Sequence, residues 1–367
     1  MKTKLEWIQG LRAVAAGLVL LAHLFQQDNR FLSGALSPIW TTAGVSGVDL
    51  FFVISGFVMV YVTRHAPHGS APFAARFLYA RVTRIYPAYW LATLGVIAGY
   101  MVMGGALTRD AGELNYLSSF LLWPEADLPI LIVGWTLIHE VYFYLVFTAL
   151  LFAPRRFLPL LLGVWLAVAA LAGFAAGPGA APELLLITHP LTAEFVMGCA
   201  AGLLITSGRR AFAPVFIATG IVWWIAATGL VDWSSPANLP RGWDRVLAWG
   251  VPAALVVYGV ACIDVDLKAR APRALVAVGD WSYALYLVHL PIVAALARVW
   301  ARVFPDSGWV SSLAYLIVGA GLSLIAAAAM HHLFEKPVLA LTRKAGDRIL
   351  PAARPVASTP REATKIW

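Results

Sequence analysis

Residues 8–26 read IQGLRAVAAGLVLLAHLFQ, a run whose only ionisable side chains are Arg12 and His23. A helix needs roughly 20 predominantly apolar residues to cross the hydrocarbon core of a bilayer. This run meets that length, and similar runs recur at 44–62, 82–103, 131–152, 157–176, 189–206, 212–228, 246–263, 282–301 and 310–333. Backbone amides in hydrocarbon must be satisfied within their own segment, so each run reads as a helix. The pattern predicts an all-α, polytopic integral membrane protein with about ten transmembrane helices, for which the lipid bilayer is the solvent.

Composition points the same way. Of the 367 residues, 60% are hydrophobic and 13% charged, whereas soluble domains carry about a quarter charged residues. Gly177-Pro178-Gly179 and Ser234-Ser235-Pro236 punctuate the connections, and no long linker interrupts the runs. A single membrane domain over 1–345 is expected. The stretch 346–367, rich in Pro, Ala, Arg and Thr, reads as a loosely ordered cytoplasmic tail. The first run follows Lys2, Lys4 and Arg12 and passes into Gln26 and Asp28 without a small-residue cleavage site, so it is expected to stay in the mature chain. Cys199 and Cys262 both fall inside apolar runs, which suits packing rather than a disulfide framework or a metal site.

The placement of Lys and Arg reports orientation. Arg30, Arg109, Arg241, Arg245, Arg298 and Arg302 fall on one side of the proposed spans, and twenty of the 27 basic residues fall on the other. Cytoplasmic loops carry the excess of positive charge, so both termini are expected in the cytoplasm of a multi-pass protein of the inner (plasma) membrane. The net charge of +8 is spread over short connections rather than gathered into an aromatic-studded patch, so nucleic acid is not expected as a partner.

Ionisable groups inside spans are costly and by default mark a polar cavity, an ion path or a catalytic group. Arg12 and His23 share the first helix, separated along its axis by about 16 Å. Glu140, in Trp135-Thr136-Leu137-Ile138-His139-Glu140, and His289, after Ser282-Tyr283-Ala284-Leu285-Tyr286-Leu287, bring titratable groups to similar depth on two further helices. An imidazole with a carboxylate to fix its tautomer can activate a hydroxyl as general base or carry an acyl group transiently. The same residues would serve a proton relay, and a proton-coupled exporter of polysaccharide or lipid-linked sugar therefore stands as the alternative to a transferase.

Three arginines, Arg76, Arg81 and Arg84, gather at the cytoplasmic entrance of the third helix, with Arg81 and Arg84 on one face. Guanidinium groups presented in this way can grip phosphates bidentately, while topogenic anchoring would need the same residues. Asp49, near the outer end of the second helix in Gly47-Val48-Asp49, could line an acceptor entry or cap the helix. His331-His332 with Glu335-Lys336-Pro337 reads as a helix end rather than a metal site, and no metal is expected. No phosphate-cradling glycine loop, zinc-protease helix or GxSxG elbow occurs in the chain.

Taken in order, these segments resemble the membrane acyltransferase family 3. The carriers are Arg12 with His23, Gly47 to Phe57, Arg81 with Arg84, Trp135-x-Leu137-x-x-Glu140, and Ser282 to His289, with Glu335-Lys336-Pro337 closing a resemblance over about residues 5–340. The resemblance implies a ten-helix O-acyltransferase that takes an acyl group, expected to be acetyl, from acyl-coenzyme A and places it on a hydroxyl of a carbohydrate or glycan. It implies His23 as the catalytic histidine and Glu140 as its acidic partner. Arg81 and Arg84, flanked by Arg12 and Arg76, would bind the donor, acetyl-coenzyme A. Asp49, Trp135, Tyr283, Tyr286 and His289 would line the acceptor side. The start Ile8-Gln9-Gly10-Leu11-Arg12 is similar to the branch associated with exopolysaccharide modification.

Overall fold

A computed structural model describes residues 5–36, 39–102, 115–177, 179–233, 238–266, 270–305 and 308–351. Among them every regular element is helical. In chain order these are α1 (Glu6–Phe31), α2 (Gly47–Thr63), α3 (Ala71–Val102), α4 (Tyr116–Leu121), α5 (Gly134–Leu150), α6 (Leu158–Ala175), α7 (Pro182–Ile187), α8 (Leu191–Thr206), α9 (Ala213–Gly229), α10 (Gly242–Arg245), α11 (Val251–Asp266), α12 (Arg273–Val303), α13 (Trp309–Met330) and α14 (Lys336–Ile349). Wider π-turns lie at Val246–Gly250 and His331–Glu335.

Among the described residues eight helical stretches are long and apolar enough to cross a membrane. The two remaining expected spans fall on α5 and α9, of 17 residues each. Several helices outrun the apolar windows that announce them. α3 begins at Ala71 rather than 82 and α12 at Arg273 rather than 282. α1 continues through Gln26 to Phe31, and α14 continues to Ile349, past position 345. The expected tail otherwise falls on 352–367, outside the described residues.

The chain divides into two compact units. One comprises Leu5–Ser55 and Gly208–His332. In it α1 packs chiefly on α12, with α13 and α11 alongside, and α9 packs on α11. Its core is Ala16, Leu20 and Leu24 from α1 against Ala284, Leu285, Val293 and Ala297 from α12 and Tyr315 and Ala327 from α13. Small residues let the backbones close up, as membrane helix packing requires. A Cβ at Gly279 would fall on the carbonyl of Gln9. The N-terminus of α1 lacks a local cap; the Asp264 carboxylate accepts from the amides of Trp7 and Ile8 at 2.9 and 2.8 Å, meeting both the orphan donors and the positive end of the helix dipole.

The other unit comprises Gly56–Ser207 and the segment from Leu333 onward. Here α3 packs on α5 and on α14, and α8 packs on α6 and α5. Gly56 repeats the small-residue device, since a Cβ there would fall on the carbonyl of Phe195. Cys199 donates its thiol to the Gly56 carbonyl at 3.4 Å, and both cysteines are buried and free, in keeping with packing. Large apolar side chains of α6, including Leu160, Leu171 and Phe174, are exposed, as a lipid-facing helix requires.

Candidate active site

The unit built on α1 and α12 carries Arg12, His23, Asp49, Tyr283, Tyr286 and His289. His23 sits half-buried on α1 and His289 is 1% exposed on α12. Their rings lie 5.0 Å apart between centroids, and His23 Nδ1 is 3.2 Å from His289 Nε2. His23 Nδ1 also lies 2.9 Å from the Val19 carbonyl, and His289 Nδ1 lies 3.0 Å from the Leu285 carbonyl. Tyr286 stands beside His289 with its ring edge against Phe51, and it and Tyr283 are buried. Arg12 is half-buried on the same helix as His23.

Asp49 is fully buried, and both its oxygens accept from Arg245, Nε and Nη2 each at 2.8 Å. The guanidinium also reaches the Val45 carbonyl and stacks near Trp249. This bidentate pair commits the carboxylate that sequence reading assigned to an acceptor entry. Asp28, which reads in sequence as the polar end of the first run, is also fully buried and accepts from the Ser312 hydroxyl at 2.7 Å.

The other unit carries Arg76, Arg81, Arg84, Trp135 and Glu140. Glu140 accepts a short hydrogen bond from the Tyr144 hydroxyl, one helical turn along α5. Arg81 is 6% exposed, and its guanidinium lies 5.5 Å from the Phe77 ring centre and 5.6 Å from that of Tyr144, within the electrostatic field of Glu140. Arg84 pairs with Glu335, which is 2% exposed. Two cations and two carboxylates thus gather here, with Tyr144 between Glu140 and Arg81. Arg76 donates to Asp347 at 2.9 Å and to the carbonyls of Leu350 and Pro351, tying α3 to the end of α14. Trp135 packs edge-on against His139, whose ring in turn meets His189 at 4.6 Å.

Tyr144, Glu335 and Arg245 escaped the sequence reading as site residues. Tyr144 had a signal, its i, i+4 spacing from Glu140. Glu335 and Arg245 find their partners far along the chain, and nothing local announces them. Among the described residues no group of three or more His, Cys, Asp or Glu side chains is arranged to hold a metal ion.

Comparison with known proteins supplies the reaction class. The exopolysaccharide production protein ExoZ of Rhizobium meliloti is 32% identical over 265 residues, covering 70% of this chain and 79% of that protein. The acyltransferase MdmB of Streptomyces mycarofaciens is 28% identical over 408 aligned positions, covering 98% and 96% of the two chains. No solved structure matches the chain. The model of the family described as the acyltransferase domain matches residues 5–332. This apolar helical chain, matched over nearly its whole length by that model, is an acyltransferase and belongs to the acyltransferase 3 family.

Proposed function

We propose that this chain is a ten-span O-acyltransferase of the inner membrane, with both termini cytoplasmic, that moves an acetyl group from acetyl-coenzyme A to a hydroxyl of a carbohydrate acceptor. The observation that carries this reading is the imidazole of His23 held against His289 inside a membrane chain of this family. The kinship with a protein named for exopolysaccharide production favours a glycan as the acceptor.

In this reading His23 is the general base. Its ring takes the proton from the acceptor hydroxyl, and the oxygen attacks the thioester carbonyl. The C–S bond then breaks as the new C–O bond is completed, and the imidazolium returns its proton to the leaving thiolate. Glu140, bonded to Tyr144 and near Arg81, balances the arginine charge on the donor side. Arg84 and Arg76, both partly exposed, meet the donor's phosphates, with Arg12 adding positive charge and Arg81 the most enclosed of the group. Trp135, Tyr283 and Tyr286 offer aromatic surface to the acceptor.

Purified protein in detergent or nanodiscs, given acetyl-coenzyme A and glycan from a strain lacking the gene, is expected to release free thiol in step with acetyl incorporation measured by mass spectrometry. His23→Ala is expected to lower the rate about 10²- to 10⁴-fold, the usual contribution of a general base. Absence of thiol release, together with substrate uptake driven by a pH gradient alone, would replace transfer with transport.

A further inference from the structure

The hydrogen bonds around the two histidines determine which ring nitrogen of each carries its proton. A neutral imidazole has one N–H donor and one lone-pair acceptor. A carbonyl oxygen only accepts, so His289 Nδ1, 3.0 Å from the Leu285 carbonyl, must hold its proton there. His289 Nε2 is then a lone pair, and it faces His23 Nδ1 at 3.2 Å. A second acceptor, the Val19 carbonyl, faces the same His23 nitrogen at 2.9 Å. Two acceptors converge on His23 Nδ1, so the proton of neutral His23 sits on Nδ1 and its lone pair on Nε2.

We infer that His289 is a positioning residue: it fixes His23 as the Nδ1–H tautomer and turns the basic Nε2 toward the acceptor hydroxyl. His289 is 1% exposed beside Tyr286, and His23 is the less enclosed of the two rings. His289 also shares the charge that develops on the His23 ring, because its Nε2 lone pair accepts a stronger hydrogen bond from Nδ1–H once Nε2 is protonated. The role commonly filled by a carboxylate behind a catalytic imidazole is here filled by a second imidazole, itself locked by the backbone of α12. Geometry alone supports the tautomer; the catalytic consequence rests on the acyl-transfer reading above.

The two ring nitrogens of His289 can be replaced one at a time. In His289→Gln the amide oxygen reaches the place of Nε2 and can still accept from His23, whereas in His289→Asn the amide mimics Nδ1 and leaves His23 without that acceptor. Turnover is expected to persist largely in the Gln variant and to fall about 10- to 100-fold in the Asn variant, the scale on which partners that orient a working imidazole matter. KM for acetyl-coenzyme A and thermal unfolding should be alike in the two. Equal losses in both variants, or losses that track unfolding, would overturn the positioning role. Long-range ¹⁵N–¹H correlation spectra of ¹⁵N-histidine protein, with His23 assigned by difference from His23→Ala, decide the tautomer independently of activity. A proton on His23 Nε2 would overturn the inference even in an active enzyme, while a proton on Nδ1 in a protein that releases no thiol would sustain the geometry and sink the acyl-transfer reading instead.

Discussion

Arg84 and Glu335 form an ion pair of unequal burial, with the carboxylate side chain 2% exposed and the guanidinium 27% exposed. Removing one partner from a buried pair costs about 3–5 kcal/mol because the other charge is left uncompensated. The two deletions should therefore differ. Arg84→Met strands an enclosed carboxylate, whereas Glu335→Gln frees a cation that water can reach. Thermal unfolding in detergent should show a loss toward the lower end of that range, about 3 kcal/mol, for Arg84→Met and a smaller one for Glu335→Gln. The double variant should recover part of the difference.

The pairing of Asp49 with Arg245 predicts a role in stability before one in acceptor contact. Asp49→Asn leaves Arg245, with 17% of its side chain exposed, facing a neutral amide and should lower the unfolding temperature. The acceptor KM should stay near wild type in the fraction that remains folded. A raised KM at unchanged stability would restore Asp49 to the acceptor site.

Close helix approach makes two glycines intolerant of even one methyl group. Gly279→Ala would set a Cβ on the Gln9 carbonyl, and Gly56→Ala would set one on the Phe195 carbonyl. Backbone atoms cannot swing aside as side chains do, so each variant should lose about 1–3 kcal/mol by overpacking. Gly17 and Gly163, which have open space at the Cβ position, serve as controls whose alanine variants should be neutral or slightly stabilising. Yield of monodisperse protein and its unfolding temperature report the contrast.

His68 lies in the connection between α2 and α3, where burial first, and the neighbouring Arg155 cation after it, hold its imidazole pKa below the usual 6.5 against the opposing pull of the Ala153 carbonyl. The unfolded chain then takes up this proton more readily than the folded one. The contribution is fully present above pH 6.5 and is lost as the pH falls from 6.5 toward the lowered folded value. Unfolding temperatures measured across about pH 5 to 8 should decline on the acid side, and His68→Gln should flatten that decline.

Apolar length in the sequence located the ten long apolar helices but not the short α4, α7 and α10 or the polar α14, and the cost of ionisable groups in lipid singled out His23, Glu140 and His289. Helix ends were less legible. Hydropathy marks only the part of a helix that lipid must tolerate, while backbone hydrogen bonding carries α3, α12 and α14 on into less apolar sequence. Partners were the least legible of all. His23 meets His289 across 266 positions and Asp49 meets Arg245 across 196, and no local periodicity encodes which distant helix supplies the second member. Tyr144 beside Glu140 shows the reverse case, since a pair one turn apart could be read directly.

The cap that Asp264 places on α1 has a consequence for biosynthesis. The amides of Trp7 and Ile8 are satisfied by a carboxylate encoded 256 to 257 positions downstream. At about 5–20 residues per second of translation, the first helix waits roughly 13–50 s in the membrane before that residue is made. Chains cut short before Asp264 leave the helix bearing His23 with an open end, and quality-control proteases that sample unassembled membrane segments should find it there.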